Sequence, residues 1–533
     1  MRPLIHDCHE LFRKLSPFST GMRYPPHAMD IDKYQELIDE AAVYDVAQES
    51  PLELAENLSI RINNRIWMKR EDLQSIFSFK LRGANNKLAT LTQEVISNGV
   101  ICSSAGNHAQ GVALAAQRRE IRAVIVMPIT TPSIKVSAVK ALGGEILLHG
   151  DTYDDAYAKA RELAASESLT FIHPFDDPAV IAGQGTIGRE LVSQMSEKVS
   201  AVFAPIGGGG LISGIASYLK GKRPHIRIIG VEPEDSAAMK KSLKAGRPIS
   251  LDHVGIFADG VAVRRVGDET FRICKELVDE IITVDTDQIC ASIKDIFEDT
   301  RSIVEPAGAL AVAGLKKYVS ERGIKNEEFT VINCGANVNF DRLRHIAERA
   351  AIGEEEEILL AVQIPEQPGS FRKFCETLGR RNITEFNYRY NNPKKAHVFV
   401  GIQIKHGVKE HQTLINNLES LGYVIADLSN NEMAKLHIRH MVGGSASNLA
   451  DERLFRFEFP ERPAALTDFL QAIGTNWNIS LFHYRNHGSD YGRVLAGIQV
   501  PQDDSSKLEL HLTKLGYKHF EESENPAYRM FLN

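Results

Sequence analysis

The sequence predicts a parallel-sheet α/β body over its first two-thirds and a pair of ferredoxin-like α+β units behind it. Three observations carry that reading. From about residue 60 to 350, short apolar runs alternate with amphipathic segments; near Gly353 the pattern breaks at an acidic run; beyond it, the sequence repeats itself at offsets of 94 to 96 residues. A length of 533 residues fits, since at about 150 residues per domain it makes roughly two to four domains.

Taken in order, the N-terminal stretch MRPLIHDCHELFRKL carries charge of both signs and no apolar run, so it reads as no secretory signal. Asp7 and Glu10 argue against a transit peptide. Strands are expected at Val100–Cys102, Arg122–Met127, Glu145–His149, Thr170–His173, Ala201–Ile206, Arg227–Val231 and Phe329–Asn333. Helical patterns fall between them, as at Asn107–Arg118, Pro132–Ala141, Tyr153–Ser166 and Glu305–Tyr318. Continuously apolar strands separated by helices indicate parallel sheets covered on both faces, with ligands where strand ends meet helix starts. Val199–Leu219 is uncharged, but Pro205 and four consecutive glycines exclude a lipid-spanning helix. It reads as a buried strand, a tight loop and a helix.

Glu354–Glu357 reads as a solvated linker. Behind it IPEQPGSF (364–371) matches FPERPAAL (459–466), and NITEFNYRY (382–390) matches NISLFHYRN (478–486). FVGIQI (399–404) matches LAGIQV (495–500), and LGY recurs at 421–423 and 515–517. Each copy reads as strand, helix, two strands, helix, strand, the βαββαβ order of a ferredoxin-like unit. Such a duplicate serves either as a packing or dimerisation surface or as a pair of small-ligand sensors.

Composition narrows the function. With 62 basic against 69 acidic residues the net charge of −7 offers no field for nucleic acid or anionic lipid, and two Trp are too few for a base-stacking platform. The six cysteines are scattered, with no CxxC pair and no His at zinc spacing, so neither a disulfide scaffold nor a metal site is expected and a reduced, cytoplasmic setting is. Small molecules remain.

Four local patterns bear chemistry. SAVFAPIGGGGLISG (200–214) runs from a strand through four glycines into a helix, a geometry that lets backbone N–H groups and the helix dipole hold a phosphate. The spacing argues against a dinucleotide fold, because Gly208, Gly210 and Gly214 give GxGxxxG and not GxGxxG. In SIFSFKLRGA (75–84), Lys80 follows two Phe and two Ser; apolar surroundings help an amine lose its proton and form a Schiff base, and Phe79 offers a flat face to an aromatic ring. ICSSAGNHAQGVA (101–113) ends a strand in a Ser/Gly/Asn turn that opens a helix, either a plain N-cap or a set of donors for a carboxylate. VINCGANVNF (331–340) runs a strand into a second Gly/Asn turn at Cys334, a residue that taken alone reads as a small buried hydrophobe.

A lysine, a phosphate cradle, a carboxylate nest and a polar atom at a strand end are what pyridoxal phosphate with an amino acid requires. SFKLRGA, SAGNHAQGVA, GGGGL, VEPAGA (304–309) and CGANVNF resemble, in this order and spacing, the fold-type II pyridoxal-phosphate enzymes. Among these they are most similar to the biosynthetic threonine deaminases, which carry two C-terminal ACT-like domains. The likeness includes TEFNYRY (384–390), NNEMAKLHIRHMVGG (430–444) and WNISLFHYRNHGSDYGRVLA (477–496). It implies a catalytic domain of two parallel-sheet subdomains over residues 1–352, of which 1–50 read as an extension, and ACT-like domains over 357–430 and 452–530.

The resemblance further implies that Lys80 carries the cofactor and then acts as base, that Asn107 hydrogen-bonds the ring hydroxyl, and that Gly207, Gly208, Gly209, Gly210 and Leu211 hold the phosphate. Cys334 falls where many members have Ser facing the pyridine nitrogen, a neutral partner that leaves the ring a weaker electron sink and favours elimination over transamination. Ser104, Ala105, Gly106 and His108 would receive the substrate carboxylate. In similar serine racemases the position of Ala105 is a serine acting from the opposite face, so its absence favours one-face elimination. The implied reaction begins when threonine's amine displaces Lys80, which then removes the Cα proton. The hydroxyl leaves, protonated by the cofactor phosphate, and hydrolysis of the released enamine gives 2-oxobutanoate and ammonia, toward isoleucine. Implied with it are inhibition by isoleucine opposed by valine and a homotetramer. The competing readings are a serine dehydratase or related fold-type II lyase, and a non-catalytic amino-acid sensor.

Overall fold

The computed structural model describes residues 30–365, 370–379, 381–388, 394–405, 407–440, 451–460, 469, 477–485 and 491–532. Two sheets build the body. The larger runs in the order β1-β2-β10-β7-β8-β9, with β1 (Leu52–Leu54), β2 (Arg65–Arg70), β7 (Val199–Pro205), β8 (Arg227–Pro233), β9 (Glu280–Val284) and β10 (Glu328–Asn333). It is parallel except for the antiparallel edge strand β1. The smaller runs β5-β4-β3-β6, all parallel, with β3 (Val100–Ser103), β4 (Ala123–Met127), β5 (Glu145–Leu148) and β6 (Thr170–Phe171). Every residue of β3 and β4 is buried, which is why these strands lack polar alternation.

The helices between them are α1 (Ile31–Asp39), α2 (Glu56–Ile62), α3 (Lys80–Ala89), α4 (Gln93–Ile96), α5 (Asn107–Arg118), α6 (Ser133–Ala141) and α7 (Tyr153–Ser166). They continue as α8 (Pro178–Gln194), α9 (Gly210–Lys222), α10 (Ala238–Ala245), α11 (Asp268–Leu277), α12 (Thr286–Thr300), α13 (Pro306–Arg322) and α14 (Arg342–Gly353). The starts of α7 and α12 are fixed by capping boxes, Thr152 with Asp155 and Asp285 with Gln288.

Three strands escaped the sequence reading. In β2, RIWMKR, the charges conceal a buried strand: Lys69 Nζ reaches Glu190 Oε2 at 2.5 Å and Arg70 pairs with Asp72 at 2.8 Å. Strands β1 and β9 are short and lie at the sheet's two edges. A second difference lies at the N-terminus. Residues 30–50 belong to the body and are not an extension, because Tyr34 and Ile38 on α1 are fully buried and the Tyr34 hydroxyl donates to Glu269 at 2.8 Å. Residues 1–29 lie outside the described residues.

Behind the body, β11 (Glu357–Pro365), α15 (Ser370–Leu378), β12 (Ile383–Tyr388), β13 (Lys395–Gln403), α16 (Gly407–Ser420) and β14 (Val424–Asp427) form an antiparallel sheet ordered β12-β13-β11-β14. A short helix follows, α17 (Glu432–Leu436). The second repeat has the same order, β16-β17-β15-β18, from β15 (Glu452–Pro460), β16 (Asn478–Arg485), β17 (Tyr491–Gln499), α18 (Ser505–Leu515) and β18 (Lys518–Glu521), and closes with α19 (Pro526–Phe531). Asn431 and Asn525 cap the two closing helices and hydrogen-bond each other at 3.1 Å. Leu359 and Phe399 of the first sheet share one core with Leu454 and Leu495 of the second. The segments that directly follow Pro365 and Pro460 in the matched motifs lie outside the described residues. Among the described residues no helix is long and apolar enough to cross a membrane.

The acidic run is not an exposed linker. Glu354 pairs with Lys316 and Arg61, Glu356 with Lys294, and Glu357, at 5% exposure, with Arg439. Basic partners from distant elements pair with three of its four carboxylates and pin it to both neighbours, a fact its composition does not contain.

Candidate active site

The first residue of α3 is Lys80. Ahead of it, Ser78 bridges to Gly335, and the Phe79 N–H donates to Cys334 O at 3.3 Å, which sets the lysine beside the end of β10. Lys80 Nζ donates to Pro174 O at 3.0 Å and lies 5.4 Å from the centroid of the Phe79 ring. Burial lowers this amine to about 8, with Cys334 and Glu305 acting in the opposite direction.

From β7 the chain enters Gly207–Gly210 and then α9, which no side chain caps. Gly209 takes φ +97°, and a Cβ there would lie 2.8 Å from Met239 and Thr270. At Gly208 a Cβ would lie 2.2 Å from the Phe175 ring, and the Gly208 carbonyl accepts from Thr270 Oγ1 at 2.6 Å. Leu211 points its side chain into the core, so its backbone is what it can present.

Strand β3 delivers the third part, the turn Ser104–Asn107. Ser104 Oγ accepts from the Gly106 N–H at 3.3 Å, and the space about Gly106 is open, with no atom within 4 Å of where a Cβ would stand. Asn107 is gripped at both ends: its Nδ2 donates to Glu305 Oε1 at 2.7 Å, and its Oδ1 accepts from Asn337 Nδ2 at 2.7 Å. Asn337 also donates to Ile76 O at 2.7 Å. One N–H of the Asn107 amide therefore remains for a ligand. The His108 ring turns inward, with Nε2 3.0 Å from Ile172 O, and burial pushes it down to about 3, so it is neutral. What His108 can give a ligand is its backbone N–H. Ala105 carries only a methyl group. The Cys334 thiol donates to Ala307 O at 3.4 Å, and burial raises it well above the usual thiol range, so it too is neutral.

Glu305 and Asn337 were in view in VEPAGA and CGANVNF but had no role, because their importance lies in tertiary contact with Asn107. Glu305 is 6% exposed, and burial, aided by Asp259, lifts its carboxyl to about 7. Glu232 takes the N–H groups of Met239 and Lys240 at 2.7 and 2.9 Å. Among the described residues no group of three His, Cys, Asp or Glu is placed to hold a metal ion.

A desolvated lysine, an uncapped glycine-led helix start and an amide with one oriented N–H fit pyridoxal phosphate: aldehyde, phosphate and ring hydroxyl each find the donor or nucleophile they need. Fold and site together define a fold-type II pyridoxal-phosphate enzyme. A family model described as pyridoxal-phosphate-dependent enzyme matches residues 43–335, and a model of the C-terminal regulatory domain of threonine dehydratase matches 348–438 and again 443–532. A biosynthetic L-threonine dehydratase of Burkholderia multivorans is 55% identical over 503 residues, 94% of this chain and 99% of that one. Among solved structures, the processed form of threonine deaminase isoform 2 from Solanum lycopersicum is 50% identical, with a TM-score of 0.59 over 61% of this chain and 96% of that one. A maize serine racemase is 33% identical, with a TM-score of 0.56 over 60% of this chain and 97% of that one. The chain belongs to the biosynthetic threonine dehydratase family.

Proposed function

We propose that this enzyme dehydrates and deaminates L-threonine to 2-oxobutanoate and ammonia, with isoleucine inhibiting and valine opposing it through the C-terminal repeats. The observation that carries the reading is the lowered amine of Lys80 beside the Glu305–Asn107–Asn337 chain, with no acid at Ala105. Lys80, Phe79, Asn107, Gly207–Leu211 and Cys334 would hold pyridoxal phosphate. When bound, that group supplies a sink for the electron pair left at the substrate's Cα.

The chain's own residues do the rest. At about 8, roughly a tenth of Lys80 is free base at pH 7, enough for an amine that takes the Cα proton. Backbone N–H groups of the Ser104–His108 turn, at the start of α5, receive the substrate carboxylate. Asn107, fixed by its two partners, offers its remaining N–H to the ring hydroxyl. Cys334 and His108 are neutral, so the thiol adds no anion and the imidazole no cation at the site. Ala105 cannot return a proton from the opposite face, and loss of the β-hydroxyl is the exit left.

The regulatory reading rests on the regulatory-domain match over both repeats and on the apolar strands each repeat contributes, which offer surface to an aliphatic side chain. A cytoplasmic homotetramer belongs to the same proposal; the buried, unpaired Cys102, Cys274, Cys290 and Cys334 suit a reducing compartment. Purified protein loaded with pyridoxal phosphate should form 2-oxobutanoate from L-threonine, more slowly with isoleucine present and faster again when valine is added. Absence of 2-oxobutanoate would remove the reading, and faster turnover of L-serine would move it to serine dehydratase.

A further inference from the structure

The site is built across two subdomains. Asn107 comes from the small sheet's side, whereas Glu305, Asn337 and the glycine loop come from the large. A second polar bridge crosses the same gap. Lys135, in the first turn of α6 in the small subdomain, donates to Asp259 Oδ2 at 2.6 Å, and both side chains are mostly buried. Asp259 sits in the large subdomain immediately before two residues that line the site. A Cβ on Gly260 would stand 3.6 Å from Glu305 Oε1, and Val261 lies 3.0 Å from where a Cβ on Gly207 would be. Any shift of Asp259 therefore moves the wall of the glycine loop and the surroundings of the Glu305–Asn107 pair.

The other oxygen of Asp259 belongs to α14. Arg342, the first residue of that helix, donates to Asp259 Oδ1 at 3.0 Å and to Phe257 O at 3.1 Å. Seven residues on, Arg349 lies about two turns away on the same face of α14. It enters a cluster of four charges, three of them buried, pairing with Asp287 of α12 and with the partly exposed Glu432 of α17. Lys435 of α17 completes the cluster, reaching Asp287 Oδ2 at 2.6 Å and Glu432 at 3.3 Å. Arg349, Lys435 and Asp287 are all less than 9% exposed. So α14 holds Asp259 at one end and the first repeat at the other, and its C-terminus leads into β11 four residues later.

We propose that Lys135, Asp259 and Arg342 form a clasp that holds the small subdomain closed over the site, and that α14 ties this clasp to the charge cluster beneath the regulatory repeats. The three are positioning residues: they set how the two halves of the site meet. The inference rests on the enzymatic reading above, but its test does not depend on threonine turnover alone.

The test uses the full-length holoenzyme and the variants Lys135→Met, Lys135→Arg and Glu432→Gln, read by steady-state kinetics and by hydrogen exchange of the α6 amides. Lys135→Met should raise KM for threonine about tenfold while bound-cofactor absorption and Tm stay at wild-type values, and its α6 amides should exchange faster. Lys135→Arg should restore both. Glu432→Gln, whose partners are Arg349 and Lys435 and which removes a charge at a partly exposed position, should also speed α6 exchange. Wild-type exchange and KM in Lys135→Met would overturn the clasp. Faster α6 exchange in Lys135→Met but not in Glu432→Gln would overturn the link through α14. If wild-type protein turned over no threonine, the exchange results would still decide both points, and only the functional reading would fall.

Discussion

Replacing Glu305 with Gln separates catalysis from stability. The carboxyl has an ordinary value of 4.5 and is lifted to about 7, chiefly by burial. Because the folded value lies above the unfolded one, folding favours the protonated form; stability is greatest below pH 4.5 and is lost as pH rises through 7. The full cost of ionising the buried group is about 3 kcal/mol at pH 8. An amide of the same shape keeps the acceptor for Asn107 Nδ2 but never ionises. Glu305→Gln should therefore raise the Tm of the apoprotein at pH 8 and leave it near the wild-type value at pH 5. The hydrogen bond to Asn107 loses its charge assistance, worth about 1.5 kcal/mol, so kcat/KM for threonine at pH 8 should fall roughly tenfold. Thermal unfolding at the two pH values and steady-state kinetics at pH 8 measure both halves. Equal kinetics together with a lowered Tm at pH 8 would refute the reasoning, since Glu305 would then be an ordinary stabilising carboxylate.

Gly209→Ala should weaken pyridoxal phosphate binding by tenfold or more in a titration of apoprotein, because a Cβ at φ +97° strains the backbone by about 1–2 kcal/mol and meets Met239 and Thr270 at 2.8 Å. Cys334→Ser should keep most of the activity, as it preserves a neutral hydrogen-bonding partner, whereas Cys334→Asp should lower 2-oxobutanoate formation and hasten inactivation during turnover. Association of apoprotein with pyridoxal phosphate should quicken about fivefold from pH 7 to 8 and level off above pH 9, since the free-base fraction of an amine at about 8 saturates there. A rate that kept rising tenfold per pH step would assign Lys80 an ordinary amine.

Much of the candidate site can be proposed from the sequence because its donors are local. A strand leading through glycines to a helix start, and a Ser/Gly/Asn turn opening another, place backbone N–H groups without any knowledge of the rest of the chain. The parallel sheets were legible for a related reason, as strands buried on both faces must be apolar throughout. What stayed hidden depends on partners. Asn337 and Glu305 matter because they grip Asn107 from opposite sides, 230 and 198 residues away. Strand β2 was obscured by Lys69 and Arg70, whose charges are matched only in three dimensions, by Glu190 and Asp72. The acidic run misled for the converse reason: read alone it is a solvated linker, but Lys316, Arg61, Lys294 and Arg439 converge on it.

The central claim is that Lys80 both carries pyridoxal phosphate and moves the substrate's proton. Its most direct test is Lys80→Ala, with bound-cofactor absorption and 2-oxobutanoate formation from threonine followed on the same sample. The account predicts a folded protein with no lysine-linked cofactor absorption and no measurable turnover. Retention of that absorption, with the cofactor found on another lysine and turnover preserved, would contradict it.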